Sequence, residues 1–181
     1  MSLETNGSGL HIALVEPEIP PNTGNIARLC AATSTPLHLV GKLGFRIDDQ
    51  AVKRAGLDYW SDVSLYRHRD LEALQTSLTA ARFLYFTTKA KRSYVDFVFA
   101  PGDCLVFGRE TRGLPEDLLL ANRDRCLTIP MNNSSVRSLN LATSVGIVLY
   151  EALRQLGQLK SKDHTGGLNI DEHINSHHEN D

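Results

Sequence analysis

The chain has 181 residues, 41% of them hydrophobic and 22% charged, with a formal net charge of −2. That length supports one domain with a proper core. No apolar run approaches the roughly 18 residues needed to cross a bilayer, and Met1–Gly9 lacks a basic segment followed by an apolar one, so neither a membrane nor a secreted protein is expected.

The distribution of charge says more than its sum. From Lys160 onward the chain holds two basic and five acidic side chains, leaving seventeen basic and sixteen acidic before it. The body is about neutral, with local basic groups at Lys53-Arg54, Arg67-His68-Arg69 and Lys89-Ala90-Lys91-Arg92. These permit an RNA partner without arguing for one, since such runs are more often solvated faces. Cys30, Cys104 and Cys126 are odd in number, far apart and set among apolar residues. They read as reduced core thiols of a cytoplasmic protein.

In chain order, Met1–Gly9 reads as a flexible N-terminal extension. His11-Ile12-Ala13-Leu14-Val15 is a buried strand running into Glu16-Pro17-Glu18-Ile19-Pro20-Pro21, where three prolines in five residues impose an extended loop. Asn22 can cap a helix that carries Ile26, Leu29 and Cys30 on one face and projects Arg28 elsewhere. Gly24 near its first turn allows a backbone or a ligand to come close. Leu37–Val40 is a second strand. The following Gly41-Lys42-Leu43-Gly44 resembles the GxxG loop of a KH module, but two glycines at this spacing read as a turn. Asp48 to Ala55 is a predicted short helix ending at Gly56, Val63–Tyr66 a short strand, and Leu71, Leu74 and Leu78 mark a further helix.

Phe83–Phe86, Cys104–Phe107 and Leu127–Ile129 are three more predicted strands. Strands alternating with helices predict an α/β fold, with a mainly parallel sheet and flanking helices, over residues 10–159. The last helix is predicted to start at Ser138 and run from about Leu139 to Leu156, with Leu141, Val145, Val148, Leu149, Ala152 and Leu156 on one stripe. Ile147, Tyr150 and Leu153 lie off it, so the helix is apolar over more than one core requires, and a partner subunit is the simplest cover. Residues 160–181 read as a disordered acidic tail. Its His173, His177 and His178 make a tail rather than a metal site.

Ligands in open parallel sheets bind at the carboxyl ends of strands, and three polar or Gly-rich segments follow strands directly: Thr87–Lys89, Gly108–Gly113 and Ile129–Ser144. In the last of these, six residues between Asn132 and Ser138 can hydrogen-bond through their side chains, next to the free N–H groups of a helix start. A capped helix behind a hydrophilic connection and a polar ligand site are both consistent with that pattern. For Gly108–Gly113 two readings also stand side by side: a structural loop with Arg112 paired to Glu110 or Glu116, and a ligand loop. No GxGxxG follows the first strand, and there is no GxxxxGK[ST], HExxH or GxSxG, so a dinucleotide or nucleoside triphosphate site is not expected.

Taken together, Asn22–Arg28, Leu105–Pro115, and Ile129-Pro130-Met131 with Ser138-Leu139-Asn140-Leu141-Ala142 resemble the three ordered motifs of the SPOUT RNA 2′-O-methyltransferases. Glu16–Asn25, Arg54–Tyr59 and Tyr150–Gly157 are similar to the small members that modify the wobble nucleotide of tRNA. The likeness spans about His11 to Gly157, with no separate RNA-binding domain.

The resemblance implies a C-terminal trefoil knot, a homodimer, S-adenosylmethionine as cofactor, tRNA as substrate and no metal. It implies methyl transfer to the ribose 2′-hydroxyl of the wobble nucleotide, a cytidine or a modified uridine. Another tRNA or rRNA site, or a non-catalytic RNA-binding dimer, are the alternatives. Carried over by motif, Phe86, Gly108, Ile129, Met131, Ser138 and Leu139 hold the cofactor, and Arg28, Arg112 and Asn140 hold RNA. Asn25, Arg28, Glu110 and Tyr150 fall at catalytic positions, Tyr150 at the dimer seam. Arg109 stands where the family would have a proline. The family's arginine is commonly proposed as general base, but a guanidinium with a pKa above about 12 is poorly suited to that. Arg28 is better read as a fork that orients ribose or phosphate and stabilises the developing alkoxide.

Overall fold

The computed structural model describes residues 9–46 and 62–159. The N-terminal extension up to Ser8, the predicted helix Asp48–Ala55 and the tail 160–181 lie outside the described residues. Among the described residues six strands form one parallel sheet: β1 His11–Val15, β2 Leu37–Val40, β3 Leu65–His68, β4 Arg82–Phe86, β5 Asp103–Phe107 and β6 Cys126–Leu127. Their order is β3-β2-β1-β5-β4-β6. Four α-helices accompany them among the described residues: α1 Pro20–Thr33, α2 Leu71–Ser77, α3 Glu116–Ala121 and α4 Leu141–Gln155. The predicted α/β class with a parallel sheet is the observed one.

The sheet is buried on both faces, as parallel sheets require. Ile12, Leu14, Leu37, Leu39, Leu84, Leu105 and Phe107 join α1 and α4 through Ile26, Val145, Val148 and Leu149. The alternate residues Ala13, Val40, Phe83, Tyr85, Cys104 and Val106 meet Leu74 and Leu119 on the other side. The period-two alternation of side chains thus makes two cores from one sheet. All three cysteines are free and buried within these cores.

Several predicted boundaries shift, each for a local reason. Asn22 does not cap α1. The N-cap is Ile19, and Pro20 and Pro21 occupy the first helical positions, where a missing N–H costs nothing. The proline run is therefore extended only as far as Ile19. β3 begins at Leu65 instead of Val63, because pairing with β2 matches Leu37 to Leu65 and Val40 to His68. β6 keeps only two residues, since β4 ends opposite it at Phe86. The last helix starts after Asn140, whose Oδ1 accepts hydrogen bonds from the N–H groups of Ala142 and Thr143. Leu153 is buried by the chain's own core, so the uncovered apolar part of α4 narrows to exposed Tyr150 and half-buried Ile147.

The Gly41–Gly44 segment is a bend packed on the proline loop, with Gly44 N–H bonded to Pro17 O at 3.0 Å. A Cβ at Gly44 would come within 2.8 Å of the Glu18 Cα, so the second glycine serves backbone packing.

Candidate active site

A cleft of about 460 Å³ opens at the carboxyl ends of β4, β5 and β6, in the usual size range of small-molecule sites. It lies where adjacent strands send their connections in opposite directions, since β1 leads outward to β2 while its neighbour β5 leads across β4 to β6. Its apolar residues include Phe86, Phe107, Ile129, Leu139 and Leu141. The Phe86 and Phe107 rings stack with centroids 4.8 Å apart. Thr87, Thr88, Asn140 and Ser144 add polar groups.

The β5 loop is held in a narrow shape. Arg109 N–H bonds to Gly113 O at 3.2 Å and Gly113 N–H to Arg109 O at 2.9 Å. A Cβ at Gly108 would meet the Gly113 carbonyl carbon at 2.2 Å, so only glycine fits there. Gly113 has φ of +68°, the left-handed region glycine tolerates best.

Glu110 leaves this loop and caps α1, its N-cap residue Ile19 lying 91 positions away in sequence. Its carboxylate accepts the Glu18 N–H at 2.8 Å, the Ile19 N–H at 3.2 Å and the Asn22 amide at 3.1 Å. Asn22 in turn accepts the Asn140 amide at 3.0 Å, while Asn140 caps α4. One hydrogen-bonded chain thus joins the Pro-rich turn, the β5 loop and the start of α4. Asn22 is only 7% exposed, so these bonds are made largely away from water. Arg109 forms an ion pair with Glu16, and Glu18 accepts both the N–H and the hydroxyl of Thr111. Arg109 therefore adds a second tie to the loop after β1.

The backbone around Thr128 is held on two sides. Thr87 N–H bonds to Leu127 O, Thr128 N–H bonds to Arg92 O, and Tyr94 N–H bonds to Thr128 O, at 2.9 to 3.0 Å. This segment aims Ile129 and Met131 at the cleft. The end of α4 is pinned by Gln155, which bonds to both Phe97 O and Phe99 N–H.

Phe86, Gly108, Ile129, Met131, Ser138 and Leu139 all line the cleft, as do Glu110, Arg112 and Asn140. Asn25, Arg28 and Tyr150 do not; they are exposed elsewhere. At 3.6 residues per turn, Arg28 sits roughly 120° around α1 from Asn22. Glu110 and Asn140 are engaged in helix caps, and Arg112 pairs with neither Glu110 nor Glu116, which instead lies 3.8 Å from Lys89. Sequence reasoning missed Asn22 as a junction residue, because its neighbours in the network are far away in the chain. It also passed over Arg137, a cleft-lining cation within the polar loop. Among the described residues, no group of His, Cys, Asp or Glu could hold a metal ion, and no helix is long and apolar enough to cross a membrane.

Known proteins share both the sequence and this architecture. A protein of Bacillus subtilis (strain 168) is 50% identical over 149 residues, covering 81% of this chain and 92% of its own length. A tRNA (cytidine(34)-2′-O)-methyltransferase of Burkholderia ambifaria is 47% identical over 151 residues, 81% of this chain and 96% of that one. A solved structure concerned with 2-OH methylation of C/U34 on tRNA superposes with a TM-score of 0.78 at 47% identity, covering 83% of this chain and 97% of the other. The model of the SpoU rRNA methylase family matches residues 9–150, a span that contains every cleft-lining residue and the starts of α1 and α4, and the chain belongs to that family.

Proposed function

We propose that this protein transfers a methyl group from S-adenosylmethionine to the ribose 2′-hydroxyl of the tRNA wobble nucleotide, cytidine or a modified uridine. The observation that carries the reading is the cleft, assembled from all three motif segments, in a chain nearly half identical along its domain to a named tRNA (cytidine(34)-2′-O)-methyltransferase.

The residues present fit the cofactor. Phe86, Ile129 and Leu139 offer an apolar bed for adenine, and the Gly108 loop, closed to any side chain, brings backbone N–H and C=O groups to the rim. Met131 and Ser138 complete the walls. Bound there, S-adenosylmethionine supplies an activated methyl group. The protein's own work is alignment of the 2′-hydroxyl and stabilisation of its developing charge. In this reading Arg28 supplies that stabilisation, Asn25 assists it, Glu110 and Asn140 fix the loops, and Tyr150 belongs to a subunit seam.

The same reading includes a trefoil knot, which rests on the likeness to the SpoU methylases. It includes a homodimer, supported by exposed Tyr150 and half-buried Ile147 on α4. A second copy would also account for Asn25 and Arg28 standing outside the cleft of their own chain. The buried, unoxidised cysteines support a cytoplasmic setting.

Methyl incorporation into total tRNA followed by nucleoside mapping tests the proposal. Label confined to the 2′-O-methyl group of nucleotide 34 is expected. No transfer would remove the enzymatic reading, and label outside the anticodon loop would remove the wobble assignment.

A further inference from the structure

The charges lining the cleft are unbalanced in one direction. Four cations line it, Lys89, Arg109, Arg112 and Arg137, against the single carboxylate of Glu110. That carboxylate is already engaged by three donors near the start of α1. Two of the cations are neutralised as well, Arg109 by Glu16 and Lys89, at 3.8 Å, by Glu116. Arg112 and Arg137 are exposed and make no ion pair or side-chain hydrogen bond among the described residues.

The methyl donor does not balance this excess. Its sulfonium and ammonium outweigh its one carboxylate, so the donor is itself a net cation, and two further guanidiniums beside it are unfavourable unless an anion is also present. An RNA strand supplies one phosphate per nucleotide. A guanidinium matches a phosphate with two parallel hydrogen bonds, which a lysine cannot do.

We propose that Arg112, from the β5 loop, and Arg137, from the loop before α4, form a two-point clamp on phosphates flanking the target nucleotide. Because phosphates carry no base information, the clamp sets the register and depth of the strand over the cleft and leaves base choice to other contacts. The proposal rests on the RNA methyl transfer proposed above, and binding measured apart from turnover separates the two.

The test uses the full chain and a fluorescein-labelled anticodon stem–loop RNA, with anisotropy titrations from about 50 to 200 mM salt. Arg112→Ala and Arg137→Ala are each expected to weaken RNA binding roughly tenfold and to reduce the slope of log affinity against log salt by about 0.7. Arg137→Lys should recover the slope but only part of the affinity. Affinity for S-adenosylmethionine, from calorimetry, should stay within about twofold.

Unchanged slopes in both alanine variants would overturn the clamp. So would a loss of S-adenosylmethionine affinity with RNA binding intact, which would place a guanidinium on the donor's carboxylate. If the wild-type protein transfers methyl groups while the slopes stay fixed, the clamp alone falls. If the slopes drop as expected but no methyl is transferred, the clamp stands and the proposed activity falls.

Discussion

Replacing Glu110 by alanine removes the acceptor that closes the start of α1, a helix whose own N-cap residue, Ile19, offers no side-chain oxygen. Three donors lose their partner: the Glu18 and Ile19 N–H groups and the Asn22 amide. Loss of a helix cap costs about 1 kcal/mol, and loss of a negative charge at a helix N-terminus about 0.5 kcal/mol. The hydrogen bond to Asn22, 7% exposed, contributes about 1 kcal/mol more. Water can reach part of this site, since Ile19 is 42% exposed, which favours the lower end of the sum, about 2 kcal/mol. For a domain of this size that corresponds to a fall in Tm of roughly 4–8 °C.

Thermal melts of the ligand-free protein measure it, with methyl transfer assayed at a temperature where the variant stays folded. Glu110→Gln should fall between wild type and alanine, because it keeps one acceptor oxygen but turns an amide donor toward other donors. An alanine variant that melts within about 1 °C of wild type yet loses all turnover would refute the capping role and return Glu110 to the chemistry.

Arg28→Lys and Arg28→Ala discriminate between a guanidinium fork and a general base. We expect both variants to lose turnover, with lysine recovering little; recovery with a pH–rate profile that follows the lysine's own titration would favour proton abstraction. His38 lies in a chain of three rings, its nitrogens 3.0 Å from those of His11 and His68. Burial, aided by its two histidine neighbours, lowers its pKa from 6.5 to about 3. The unfolded chain therefore takes up this proton first, and the stability contribution present above pH 6.5 is lost as pH falls toward 3. Denaturant melts at pH 7 and pH 5 should show His38→Phe losing about 2 kcal/mol less than wild type over that interval, and an equal loss would contradict the assignment. Burial pushes the Cys30 thiol up to about 12 and also raises Cys104 and Cys126. Maleimide labelling should be slow in the native protein and reach all three thiols only in denaturant; rapid native labelling of Cys30 would be inconsistent with its burial.

Period and punctuation carried much of the fold. The apolar runs at His11–Val15, Leu37–Val40 and Phe83–Phe86 specify strands buried on both faces, and the spacing from Leu141 to Ala152 specifies a helix against them. The segments that follow β4, β5 and β6 were legible as loops gathered at one end of the sheet, because Gly, Thr and Asn after an apolar run mark the carboxyl end of a strand, and they line the cleft there. Strand ends were less legible. Val63 is as good a strand former as Leu65, and only the pairing partner on β2 chooses between them.

The amino-acid sequence by itself determined the α/β class, the two-sided core and the identity of the loops, since these follow from local chemistry and periodicity. The tertiary structure alone decided which partners the polar residues meet. Asn22, expected as a cap, is the buried junction between Glu110 and Asn140, and the carboxylate that caps the start of α1 is that of Glu110. The physical reason is that a hydrogen bond between residues 88 or 118 positions apart depends on strand order, and the order β1-β5-β4-β6 is set by how the whole sheet closes its core.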